Sequence, residues 1–412
     1  MSYFTQMSYS DTGALDAFSR LRTSTTSTVF STQAQYNAAG IQIEIGATGT
    51  GVTPTHDTNT RMITVSATAG SGTAFTQSYQ YSPYIPGKSQ FIAETFVLGT
   101  AVASAIVDVG YFDASNGIIL RQNGTTNYQI ILRTSTGGSV SDANIVAQSA
   151  WNIDTMLSGT GPSRKTIDFT KAQIMIIDLQ FLGMGRVRVG FDIDGVVYYV
   201  HEFKNANNLS VPYMQTATLP VGMLITASST ATTKTAYWKC ATVQSESGKT
   251  EDVGFHFGTG EGTVTAASGA RTHILSVRPK TTFNGITNRE LFELHTINIA
   301  NTGAKPVFWE LVVGAAFSVA PTWADVNTTY SAYESGTAGT FSNLTTGIVV
   351  ASGYIDPSSG STTTEITSVS ANYPITLNRA GVVRAMGTYS LLVTGIGGSS
   401  DCRATLNFHE VR

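Results

Sequence analysis

Short runs of Thr, Val, Ile, Tyr and Phe, about five to ten residues long, follow one another along almost the whole chain, broken by Gly, Asn-Gly, Asp-Gly and Ser-Gly. β-Branched and aromatic side chains suit a pleated, half-buried surface, and Gly, Asn and Asp supply the backbone conformations of tight turns. No window of about a dozen residues carries apolar positions at i, i+3, i+4 and i+7 without Gly or β-branched interruptions. This punctuation excludes helical bundles and doubly wound α/β folds. It predicts an all-β chain of antiparallel β-sandwich, jelly-roll-like domains.

Composition narrows the function classes. A chain of 412 residues, 42% of them hydrophobic, can bury one large core or two ordinary ones. Only 12% of residues are charged, and 24 Lys+Arg against 27 Asp+Glu leave a formal net charge of −3, so no basic field exists to collect phosphates. That balance argues against a nucleic-acid binder. No apolar run approaches the roughly 18 residues of a membrane span, and the opening MSYFTQMSYSDTG lacks the basic and apolar regions of a secretory signal. The expectation is a soluble chain made in the cytoplasm, without membrane insertion. Cys240 and Cys402 are too few for a disulfide framework and too far apart to suggest a zinc site, so both read as buried thiols.

Local patterns give specific elements. QIMIIDLQF at 173–181 reads as a strand buried on both faces, and RVRVGFDI at 186–193 alternates like a half-exposed strand, with one exception at Gly190. Gly183-Met184-Gly185 would join them, and Asp194-Gly195 before VVYYVHEF is a type I′ hairpin signature. A second hairpin is expected at Asn123-Gly124. QSESGKTED at 244–252 is the most charge-dense short stretch, which places two β-sandwich domains at 25–245 and 253–412. Residues 1–24 lack the strand pattern and read as an extended N-terminal arm. In it, Phe18 and Leu21 are apolar anchors and Arg20 and Arg22 are charge-assisted donors for docking on a neighbouring subunit. A strand edge within its own domain fits the same residues equally.

Few motifs carry chemistry. Asp192-Ile193-Asp194-Gly195 opens like a calcium loop but lacks the later acidic ligands, so a turn is the better reading. The histidines at 56, 201, 256, 273, 295 and 409 include no i, i+4 pair with an adjoining Glu, and His201-Glu202 reads as a solvent-facing pair. Nucleophile elbows, Walker loops and dinucleotide fingerprints are absent, and the Gly clusters at 258–262 and 395–398 read as turns. No cofactor or metal is expected. Carboxylate pairs for glycoside hydrolysis cannot be picked from 27 scattered acids. Tyr128, Trp151 and Tyr199 are candidates to stack on sugar rings if they share an exposed face; core packing is the commoner fate of Trp151, and Tyr198 and Tyr199 must point to opposite faces.

Several segments, taken in order, resemble a family of virion structural proteins of tailed bacteriophages. They are DAFSRLRTS at 16–24, PGKSQFI at 86–92, VGYFDASNGIIL at 109–120, SAWNID at 149–154, DFTKAQIMIIDLQFLGMGRVRVGFDIDG at 168–195 with HEF at 201–203, LSVRP at 275–279, NRE at 288–290 and PVFWELV at 306–312. The family's arm more often has Gly and Val where this chain has Ser19 and Thr23. The resemblance covers most of the chain and brings no catalytic motif. It implies a non-enzymatic structural protein on the particle exterior, a tail, baseplate or neck appendage joined through its arm to other virion proteins and to copies of itself, with a trimer the first expectation. A head decoration protein and an adhesin recognising host surface glycan are the alternatives. A capsule depolymerase is disfavoured by the lack of a long β-helical repeat. With so few charges, subunit contacts would be apolar and largely insensitive to salt.

Overall fold

The computed structural model describes residues 16, 18, 26–36, 40–124, 127–228, 232–246, 254–345, 347–357, 361–365 and 373–412. The chain divides into two compact units, Met1–Thr250 and Glu251–Arg412. Among the described residues the only helical element is one 3-10 turn, Gln148–Ala150, and no helix is long and apolar enough to cross a membrane.

The first unit is built from β1 (Ser27–Gln33), β2 (Ile43–Asp57), β3 (Met62–Ser78), β4 (Ser89–Val97), β5 (Ala105–Phe112), β6 (Gly117–Asn123), β7 (Asn127–Thr134), β8 (Ser141–Ala147), β9 (Gln173–Leu179), β10 (Val187–Ile193), β11 (Val196–Phe203), β12 (Val221–Ala227) and β13 (Lys234–Glu246). They pair in the order β11-β10-β9-β4-β13-β3-β12-β5-β6-β7-β8, with β1 along β13 and β2 along β3. The long β3 makes the bend. Its residues Ile63–Ala67 pair with β13 and Gly72–Gln77 with β12, so one strand serves two layers in succession. Residues of both layers, among them Ile92, Phe96, Met175, Val189 and Trp238 from one and Val107, Val109, Leu120 and Met223 from the other, fill a single core.

The second unit contains β14 (Phe255–Gly258), β15 (Gly262–Ala266), β16 (Thr272–Pro279), β17 (Thr282–Phe283), β18 (Ile286–Thr287), β19 (Leu291–Asn301), β20 (Val307–Val313), β21 (Ala316–Val319), β22 (Thr322–Asp325), β23 (Tyr333–Thr337), β24 (Thr340–Asn343), β25 (Ile348–Ile355), β26 (Ser361–Glu365), β27 (Tyr389–Gly395) and β28 (Ser400–Val411). One sheet runs β14-β28-β19-β26 with β15 also on β28, and the other runs β22-β23-β16-β27-β20-β25. Phe292, Leu294, Leu406 and Phe408 of the first meet Val277, Leu311, Tyr389 and Leu391 of the second in one core. The all-β, antiparallel sandwich architecture expected from the sequence is therefore what the chain adopts.

The Asp194-Gly195 turn joins β10 to β11 with both residues at positive φ, +58° and +81°. Asp192 Oδ1 accepts the Gly195 N–H at 2.9 Å, which makes this acidic stretch a hairpin turn. β9 and β10 pair across the Gly183-Met184-Gly185 turn, and β6 pairs antiparallel with β7 after Asn123-Gly124.

Three expectations need correction. The run 186–193 is not half-exposed: β10 is buried from Val187 through Phe191, because Arg188 lies directly opposite Asp178 of β9 and forms a fully buried ion pair at 2.6 Å. His201 does not face solvent either. It is 5% exposed, its Nδ1 accepts the Asn152 N–H at 3.2 Å, and its ring packs edge-on against Phe203. Cys402 is buried as expected, whereas Cys240 is half-buried.

Candidate functional site

Two of the sequence segments singled out above meet in space. The turn 86–88 leads into β4, whose first residue, Ser89, is paired across the sheet with Glu246, the last residue of β13. The Ser89 hydroxyl donates to Glu246 Oε2 and lies 3.1 Å from Asp16 Oδ2. All three side chains are buried, at 1%, 4% and 3% exposure. The other Asp16 oxygen, Oδ1, accepts the Phe18 N–H at 2.9 Å, with Phe18 half-buried. A hydroxyl has one hydrogen, so Ser89 serves two buried carboxylates by turns. The chemistry suits anchoring: it fixes where the N-terminal segment meets the first unit, at the end of the β4–β13 pair. A shallow groove lined by Pro83, Tyr84, Lys88 and Gln90 opens beside it. Arg20, Leu21 and Arg22 lie outside the described residues.

The candidate sugar-stacking aromatics do not form an exposed platform. Trp151 is 4% exposed and stacks on Phe191 at 6.3 Å between ring centroids. Tyr199 is 3% exposed; its hydroxyl donates to Asp178 Oδ2, and the Arg188 guanidinium sits 4.2 Å from its ring centre. Tyr128 is half-buried and packs on Phe169 at 4.5 Å. Trp151 takes the core packing expected as its commoner fate, and the expectation that Tyr199 faces a glycan is corrected, because its hydroxyl and ring close the buried Arg188–Asp178 pair.

Several charged residues are spent on structure. Arg121 binds Asp108 through two hydrogen bonds, at 2.6 and 2.8 Å, and reaches Asp142, while Arg133 grips Asp142. This ladder ties β5, β6, β7 and β8 together on one face. In the second unit Arg289 donates to the carbonyls of Asn378 and Arg379, and Glu290 pairs with Arg412 at 2.9 Å. Burial and the adjacent Glu410 carboxylate push Glu290 up to about 7 against the pull of Arg412.

One cluster was invisible in the sequence. His256 of β14, His409 of β28 and His295 of β19 come together on adjacent strands, with one ring nitrogen from each lying within 4.8 Å of the others. Their positions are far apart in the chain, and only the strand register unites them.

No family model and no curated protein matches the chain. Among solved structures it is similar to a conserved carbohydrate esterase of Shiga toxin-encoding bacteriophage phi24B, at 9% identity and a TM-score of 0.34, over 54% of this chain and 100% of that one. It is also similar to the CBM2 module of the evolved Dit of Lactobacillus casei BL23 phage J-1, at 8% identity and a TM-score of 0.33, over 55% and 98% of the two chains. A third likeness is to arcelin-5, a lectin-like defence protein of Phaseolus vulgaris, at 10% identity and a TM-score of 0.32, over 53% and 99%.

Proposed function

We propose that this chain is a non-enzymatic structural protein of a tailed-phage virion, carried on the particle exterior as a tail, baseplate or neck component and joined to it through the N-terminal segment. The observation that carries the reading is the seat of that segment. DAFSRLRTS and PGKSQFI, both segments of the virion-protein resemblance, meet where the buried Ser89 hydroxyl, which also donates to Glu246, reaches Asp16. Fixing Asp16 in the first unit lowers the ordering entropy lost when a segment docks. The other resembling segments supply scaffold: 168–195 forms β9 and β10, 275–279 closes β16, and 306–312 forms most of β20. Residues invested in two sandwich cores suit a protein whose work is assembly.

The test is a particle assembled with a chain lacking residues 1–24, alongside a full-length chain carrying Arg20→Glu and Arg22→Glu. Both should remain folded by circular dichroism and be missing from purified particles. Incorporation of either at the wild-type level contradicts the proposal.

A further inference from the structure

His256, His295 and His409 of the second unit have no part in the proposed assembly role. β14 and β19 flank β28 in one sheet. His256 lies directly across from His409, so the two side chains leave the same face. His295 joins them because the β19–β28 register shifts between Leu294 and Thr296, leaving His295 as the extra residue of a β-bulge. The bulge keeps Phe292, Leu294, Ile297 and Ile299 in the core while turning an added imidazole outward. In the result, His295 Nε2 lies 3.2 Å from His409 Nδ1, and His409 Nε2 faces His256 Nε2. Glu293, also opposite His409, adds a carboxylate to the same face by register. Exposure is graded, from buried His409 through half-buried His295 to exposed His256, so the cluster opens to solvent on one side.

We infer that these three imidazoles form a binding site for a first-row divalent metal ion, Zn²⁺ being the best match. Zinc takes imidazole nitrogens at about 2.0–2.1 Å in tetrahedral array, which sets neighbouring ligand nitrogens roughly 3.3 Å apart. The 3.2 Å spacing of His295 Nε2 and His409 Nδ1 already meets that. His256 faces the other His409 nitrogen, Nε2, so its exposed ring must turn towards the Nδ1 side, and one nitrogen from each ring already lies within 4.8 Å of the others. Three protein ligands leave the fourth position to water on the open side. A chain of imidazole hydrogen bonds would satisfy His409 as well, but it binds protons where the metal site releases them, and this separates the two arrangements experimentally. The consequence is mechanical. Among the described residues β14 is a four-residue strand paired with β28 alone, and an ion would bind it to β28 and β19 at once.

The experiment is calorimetric titration of the chelator-treated full-length protein with Zn²⁺ alone, at pH 7.5 and again at pH 5.5, for wild type, His256→Ala and His295→Ala. One ion per chain should bind at pH 7.5, and binding should weaken at pH 5.5, where protons compete with the ion for ligand nitrogens. Each substitution should weaken binding by more than the roughly 10–100-fold that loss of an outer-shell partner costs. Both altered side chains reach the surface, so circular dichroism should show the fold retained. Zn²⁺ should also slow amide exchange at 255–258 in the wild type and in neither variant. Absence of saturable binding, uptake at other than one ion per chain, or an affinity unchanged in both variants overturns the inference.

Discussion

Arg188 and Asp178 illustrate how much a single residue contributes once its partner is in register. Both side chains are fully buried, and Tyr199 adds a hydroxyl donor to the carboxylate and a ring face to the guanidinium. Removing one member strands a charge in the core, so Arg188→Ala should destabilise the first unit by about 3–5 kcal/mol in urea unfolding. A loss under 1 kcal/mol would mean that the pair is solvated. His201 sets a pH dependence. Burial pushes it down to about 4 from an ordinary value of 6.5. Above pH 6.5 the ring is neutral in both states and its contribution is complete. As pH falls from 6.5 towards 4, the unfolded chain takes up a proton that the folded chain refuses, and stability drops. His201→Gln keeps an acceptor for the Asn152 N–H and removes the titration. Wild type should therefore lose more melting temperature than His201→Gln between pH 6.5 and 4, whereas parallel curves would contradict the burial of this ring.

At the scale of elements, the β10–β11 hairpin contains two glycines with different reasons to be there. Gly195 occupies the turn at φ +81° with open space around it, so Gly195→Ala meets only backbone strain, about 1–2 kcal/mol. Gly190 sits where the β10–β11 register shifts, and a Cβ there would lie 2.6 Å from the Tyr198 carbonyl oxygen and 2.9 Å from Tyr199 Cα. Backbone cannot step aside, so Gly190→Ala should reach or exceed the roughly 3 kcal/mol upper end of overpacking losses. Equal losses for the two variants in thermal unfolding would contradict this assignment. The turn was legible in the sequence because Asp-Gly chemistry is local. Gly190 was visible only as an exception in an alternating pattern, and its reason lies on the neighbouring strand. The same divide separates what could be read from what could not. Strands and turns follow from residues next to one another, whereas the burial of Arg188 needed Asp178 across the ladder, and the histidine cluster needed three strands and a bulge. Tyr199 misled for a related reason: an aromatic residue in a strand announces that it will cover something, and only tertiary packing decides whether that is a core or a ligand.

For the whole molecule, the two units each close a core of their own, and the charge-poor composition reappears as surfaces with few ionic handles. Among the described residues several charges are paired within their own unit, as in the Asp108–Arg121–Asp142–Arg133 ladder. Such surfaces offer a partner mainly shape and apolar contact. The N-terminal segment, rooted at Ser89 and Glu246, is the element that would convert this pair of sandwiches into a particle component. The measurement that tests the claim most directly is immunogold electron microscopy of intact phage particles, with antibody raised against this chain and label counted separately at head and tail. The proposed role predicts label confined to the tail, baseplate or neck. Particles that carry no label above background, while the same antibody detects the free protein in the lysate, would contradict it.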